Sequence, residues 1–155
     1  MSAAVRNVVF ISALLFADCA TAPPYRLAPL PAEWTEARSS DHSVAFHHSD
    51  GGTIVADANC GEGDDVPLDV LTNHLLFGVE NRKEQPRVPF QLDGRGALRT
   101  KLAGTMDGVQ VAFDIVVLKK DGCIFDLYLI SPPDRVTRRE PEFDRFVAGF
   151  SKAKP

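Results

Sequence analysis

The sequence predicts an α+β fold, a central antiparallel β-sheet of about six strands flanked by helices. Two observations carry this. Through residues 97–130 apolar and polar residues alternate with period two, the pattern of strands with one buried face. Two shorter stretches, 67–80 and 141–150, instead space their apolar residues as helices do. The chain thus runs strands, helix, strands, helix, the order of a layered α+β domain.

The meander is the most legible part. Val109, Val111, Phe113, Ile115 and Val117 alternate with Gln110, Ala112 and Asp114, and Phe125, Leu127 and Leu129 alternate with Asp126 and Tyr128. A two-residue turn at Asp107-Gly108 pairs Gly104 with Val111, Leu102 with Phe113, Thr100 with Ile115 and Leu98 with Val117. Strands are therefore expected over 97–106, 109–118 and 123–130. At the next turn two registers compete. A two-residue Asp121-Gly122 turn pairs Leu118 with Phe125 but sets the Asp114 charge against Leu129. A three-residue loop, Lys120-Asp121-Gly122, pairs Val117 with Phe125, Ile115 with Leu127 and Phe113 with Leu129. The buried face fixes register, which selects the three-residue loop. The second face carries Arg99, Lys101, Asp114, Asp126 and Tyr128 beside Val116, Leu118, Ile124 and Ile130. That face is half apolar, so part of it is expected to be covered.

The remaining elements follow in order. Residues 1–18 have the make-up of a secretory signal, with Arg6 as its positive charge and a nine-residue apolar run over 8–16, too short to span a bilayer. Residues 19–38 form a proline-bearing tether, with Tyr25-Arg26-Leu27 as a short edge strand and Trp34 as a lid on the core. Residues 39–155 form one globular domain, of ordinary size and composition for a chain of 155 residues, 45% hydrophobic and 25% charged. Strands over 43–48 and 53–60 flank a turn at Ser49-Asp50-Gly51-Gly52. Helix 67–80 carries Leu68, Leu71, Leu75 and Val79 on one stripe, with Asp65 as its cap and Pro67 in its first turn. Arg82 to Arg87 make a charged exit loop, and a further strand covers 88–92. After the helix-breaking Ser131-Pro132-Pro133, residues 134–140 read as a charged loop. The closing helix, 141–150, places Phe143, Phe146, Val147 and Phe150 on one face.

Two resemblances add to this reading. Leu15-Phe16-Ala17-Asp18-Cys19 resembles a bacterial lipobox, with Asp18 where that pattern has a small residue. The resemblance implies lipidation at Cys19, a membrane anchor and the periplasm, and Ala20 suits retention in the outer membrane. Cleavage after Ala20-Thr21-Ala22, with Pro23 against it, is the alternative. Further on, Tyr25, Pro31 and Trp34, then Phe125-Asp126-Leu127, Ser131-Pro132-Pro133, Phe143, Phe146 and Gly149-Phe150 resemble the PsbP-like class. The chain is similar in particular to a family of small bacterial lipoproteins carrying ANC, DGR and KDGC stretches, here 58–60, 93–95 and 120–123. The resemblance implies a PsbP-like α/β/α sandwich, a non-enzymatic accessory role and no catalytic residue to carry over.

Candidate chemistry is sparse. With Cys19 taken by lipid, Cys60 and Cys123 remain, and in an oxidising compartment an even remainder predicts a disulfide; two buried thiols are the alternative. The acidic stretch 57–65 invites a calcium or small-ligand reading but fails the EF-hand template, since Leu68 stands where the bidentate glutamate belongs. His47 and His48 point to opposite faces of a strand, and His42 and His74 complete no metal-ligand spacing. No nucleophile motif and no phosphate loop occurs, so neither a catalytic residue nor a cofactor is implied. The net charge of -4 argues against nucleic acid as partner. Arg95, Arg99, Arg135, Arg138 and Arg139 are the candidate contacts for an envelope protein. The expectation is a non-enzymatic envelope lipoprotein with an accessory or protein-binding role. The alternative is a periplasmic protein holding a metal or small ligand with its acidic loop.

Overall fold

A computed structural model of the chain describes residues 23–61 and 65–153. The expected signal segment, Cys19, and Glu62, Gly63 and Asp64 of the acidic loop lie outside them. In chain order the elements are β1 (Tyr25–Arg26), β2 (Trp34–Ser39), β3 (Ser43–His48), β4 (Thr53–Cys60), α1 (Leu68–Leu75), β5 (Glu80–Glu84), β6 (Val88–Leu92), β7 (Arg95–Met106), β8 (Val109–Lys120), β9 (Cys123–Ser131), α2 (Val136–Ala148) and β10 (Ser151–Lys152). Eight strands form one antiparallel sheet in the order β2-β3-β4-β9-β8-β7-β5, with β6 also paired to β7; β1 and β10 make a separate ribbon.

The α+β class stands, but the sheet is larger than six strands. Both additions are charged, and β5 is exposed throughout, while β2 buries Trp34. Strand β2, read in sequence as tether, is WTEARS, and β5, read as helix end and exit loop, is ENRKE. They occupy the sheet edges, where charge, and a register shift in each, discourage pairing with another chain. Helix α1 stops at Leu75, short of the expected 80, because Gly78 turns the chain at φ +82° and Glu80 pairs with Thr105. Asp65 does not cap it: Pro67 holds the cap position without a side-chain hydrogen bond. Helix α2 begins at Val136 rather than 141. The charged residues read as a loop are helical because Arg135 and Arg139, one turn apart, both reach Asp50 in the β3–β4 turn.

The first meander turn has the expected register, with Leu102 opposite Phe113 and Thr100 opposite Ile115. The second does not. Lys120 pairs with Cys123, Leu118 with Phe125 and Asp114 with Leu129, so the turn is the two-residue Asp121-Gly122. Asp93-Gly94, Asp107-Gly108 and Asp121-Gly122 all have positive φ at both residues, the type I′ geometry that matches strand twist. The apolar-row criterion failed because the middle of β8 is buried on both faces. Helix α2 lies over β8 and β9 on one face, where Phe143, Phe146 and Val147 meet Val116, Leu118, Phe125, Leu127 and Leu129. Helix α1 lies over β7 and β8 on the other, where Leu76 and Val79 join Leu102, Phe113, Ile115 and Val117.

The rejected register also places Asp114, 0% exposed, in the α2 core. It is tolerated because Arg99 grips both carboxylate oxygens at 2.8 and 2.6 Å, and Lys101 stands 3.6 Å away. Hydrogen bonding to Asp114 holds the Arg99 guanidinium above its usual range. Both cations continue to α2: Arg99 reaches Asp144 at 2.6 Å and lies 5.7 Å over the Phe143 ring, and Lys101 reaches Glu140 at 3.0 Å. Asp114→Ala leaves these cations partly buried without their carboxylate and is expected to cost about 3 kcal/mol in urea unfolding. The double variant R99M/D114L should recover most of that loss.

Candidate functional site

The ANC, DGR and KDGC stretches, far apart in sequence, meet at one end of the sheet. Cys60 and Cys123 face each other across β4 and β9 and are joined, with Cα atoms 4.0 Å apart. Asp93 accepts Lys120 at 2.8 Å and the Lys152 backbone N–H at 2.8 Å. The Lys120 hydrogen bond, foremost, holds its carboxyl below the usual range. Asp121 receives Arg95 and Lys152, each at 3.5 Å. A cleft of about 550 Å³ lies among Arg26, Asp93, Lys120, Asp121 and Lys152. Its cations are largely spent on its own aspartates. Replacing both bridge cysteines by alanine reopens a loop of 63 residues and should lower unfolding stability by about 4 kcal/mol in a chain-entropy model, read by urea titration.

The five candidate arginines do not form one site. Arg99 serves Asp114 and lies beneath α2. Arg139, 7% exposed, binds Asp50, the Gly51 carbonyl and Glu142. Arg135 binds the carboxylate and carbonyl of Asp50. Arg95 is exposed beside Asp121, and Arg138 is exposed with no ion pair among the described residues. The histidines serve the fold locally: His48 accepts the Asp50 N–H and meets the Trp34 ring at 5.0 Å, and His47 bonds Thr53. No group of three metal-ligating side chains occurs among the described residues, nor does any described helix have the length and apolarity to cross a membrane.

The other face of the sheet carries something the sequence reading missed. Helix α1 spans only Leu68–Leu75 and rests on β7 and β8, so among the described residues no helix covers the β9–β4–β3 half beside it, the open half of the sheet. Across that half Asp57 faces Asp126, Val55 faces Tyr128 and Thr53 faces Ile130, all half-buried. An apolar cavity of about 150 Å³ opens where it meets α1, lined by Leu75, Met106, Phe113, Ile115, Tyr128 and Ile130. Phe77, just past α1, is 92% exposed. Neither Asp57 nor Asp126 makes a hydrogen bond or ion pair among the described residues; Lys119, on the same face of β8, gives its ammonium to the Val66 carbonyl at 2.8 Å.

Burial, then the Asp57 charge, pushes the Asp126 carboxyl up to about 7. Burial first, with Asp57 and Asp126, also raises the Tyr128 hydroxyl. The Cys60–Cys123 bridge held the missed signal: read as a direct cross-strand pair, it sets the β4–β9 register. Three residues from the bridge along each strand are Asp57 and Asp126. The folded protein holds the Asp126 proton more tightly than the unfolded chain. Its contribution to stability is therefore full below pH 3.8 and is lost as pH rises through about 7. Asp126→Asn should raise the melting temperature at pH 8, leave it nearly unchanged at pH 4, and flatten the slope between.

No family model matches the sequence, and no curated protein matches it. Solved structures do. LpqN of Mycobacterium tuberculosis, involved in cell envelope biogenesis, is 18% identical with a TM-score of 0.60, over 86% of either chain. The cyanobacterial PsbP, CyanoP, of Synechocystis is 13% identical with a TM-score of 0.60, over 84% of this chain and 87% of that one. The Ran-binding protein Mog1p of Saccharomyces cerevisiae is 11% identical with a TM-score of 0.56, over 79% of this chain and 87% of that one. None of the three is named as an enzyme. At these identities the likeness is one of fold, and the fold is PsbP-like.

Proposed function

We propose that this chain is a non-enzymatic accessory domain of the bacterial cell envelope, exported, anchored by a lipid on Cys19 and facing the periplasm. It binds a protein partner. The observation that carries the reading is the open half of the sheet. An apolar cavity and a half-apolar surface adjoin there, as at protein-interaction sites. The involvement of LpqN in cell envelope biogenesis supports the compartment, and the Ran binding of Mog1p supports partner binding as a use of the fold. Only Ala20, Thr21, Ala22, Pro23 and Pro24 separate Cys19 from β1, a short tether that keeps the domain close to its membrane. Ala20 beside the anchor favours the outer membrane. Arg95 and Arg138 keep their side chains at the surface and are secondary contacts. Ion or small-ligand binding by the acidic loop is favoured by no observation among the described residues.

Intact mass of protein purified from membranes tests the anchor. The expected result is a diacyl- or triacylglyceryl chain beginning at Cys19, with two thiols alkylated only after reduction; an unlipidated chain overturns the anchor. Photo-crosslinkers at Val55 and at Arg138 test the accessory role in cells. A discrete envelope protein captured at either position is expected, and capture at neither removes the reading.

A further inference from the structure

We infer that the open half of the sheet receives an extended, cationic segment of a protein partner. One lysine or arginine side chain of the partner sits against Asp57 and Asp126, and an apolar side chain two residues away enters the cavity under Leu75. This deepens the accessory reading and rests on it.

The argument begins with charge. Like charges directly opposite on neighbouring strands destabilise a sheet, and Asp57 and Asp126 are such a pair. Elsewhere this protein neutralises its own buried and half-buried carboxylates: Asp114 has Arg99 and Lys101, Asp93 has Lys120, and Glu140 has Lys101. The Asp57–Asp126 pair alone lies on a half-apolar, half-buried surface with no described cation of the same chain paired to it. Water solvates such a pair poorly, so a cation brought from outside gains more there than on an open surface. Anionic and neutral ligands gain nothing from it.

Spacing supplies the second half. Along β9, Asp126 and Tyr128 project from the same face, about 6.7 Å apart at the rise of a strand, and Tyr128 lines the cavity. An extended segment has the same spacing between alternate side chains. A cation-x-apolar triplet therefore sets its charge on the carboxylates and its apolar group into about 150 Å³ of apolar space. Ile130 lines the apolar end with Tyr128.

The test uses the mature chain and a fluorescein-labelled synthetic peptide repeating Arg-Ser-Leu-Ser, which sets each arginine two residues from a leucine on one face of the extended segment, with a glutamate-for-arginine peptide as its counterpart. Fluorescence anisotropy should show binding of the arginine peptide only. Its affinity should fall by about tenfold or more in D57N/D126N, the scale of a partly desolvated interfacial charge pair. The variant E33Q/D41N has the same net charge, altered at exposed positions, and should bind within about twofold of wild type. Methyl shifts on peptide addition should centre on Val55 and Ile130. Equal loss in the two variants, no loss in D57N/D126N, or shifts centred elsewhere overturns the inference. Loss of fold does not confuse the result, since neutralising Asp126 should stabilise the domain above neutral pH. In cells, partner capture from Val55 that disappears in D57N/D126N supports the inference. Capture from Arg138 but not Val55 overturns it and leaves the accessory reading standing; capture from neither overturns both.

Discussion

Asp114 is the constraint from which much of the architecture follows. A carboxylate removed from water costs several kcal/mol unless a cation and further hydrogen bonds accompany it. Here two cations accompany it, Arg99 and Lys101, alternate residues of the neighbouring strand and so on the same sheet face. Once Asp114 must point into that cluster, β8 is fixed, and β9 cannot slip by one residue against it without moving Phe125, Leu127 and Leu129 out of the α2 core. The same cations bind Asp144 and Glu140 on α2. One buried charge thus holds two strands in register and seats the helix over them.

A second clamp works at the other end of α2. Asp50, in the β3–β4 turn, receives Arg135 and Arg139, and Glu142 accepts the Trp34 indole N–H at 3.0 Å. These contacts tie edge strand β2 and its hairpin to the helix. At the end of α2, Gly149 comes so close to Ala28 that any Cβ there would overlap it. Below it Tyr25 packs on Phe125 and Phe150 and donates its hydroxyl to the Ala56 and His42 carbonyls, with burial pushing that hydroxyl up to about 12. One face of the sheet is closed along its length by this helix and its attachments. The short α1 closes only part of the other.

Local patterns in the sequence revealed what depends on local physics. The Asp107-Gly108 turn, the alternation through the meander and the aromatic stripe of α2 each state their structure within a few residues. The second hairpin was misread because alternation locates a buried face only when the opposite face is wet, and β8 is buried on both. Strands β2 and β5 escaped notice because edge strands are charged for solubility and lack an apolar row. The arginines before α2 resembled a loop because their partner, Asp50, is distant in sequence. The Asp57–Asp126 pair escaped for the same reason. It exists only where β4 meets β9, and the cysteines that define the meeting were read as a covalent link rather than as a register mark.

The contrast between Asp114 and Asp126 gives the open face its meaning. Both lie in the central strands of one sheet, and both are drawn away from water. Asp114 is buried under a helix that brings its own counter-charges to the same cluster. Asp126 lies on the open side beside a shorter helix, faces another carboxylate and meets no cation among the described residues. Stability alone would favour an apolar or amide side chain at that position, since the charge raises the energy of the fold at neutral pH. Local rules of this kind are broken most often where a surface has work other than folding. Next to an apolar cavity, the work we propose is recognition, with the sign of the pair selecting a cationic partner.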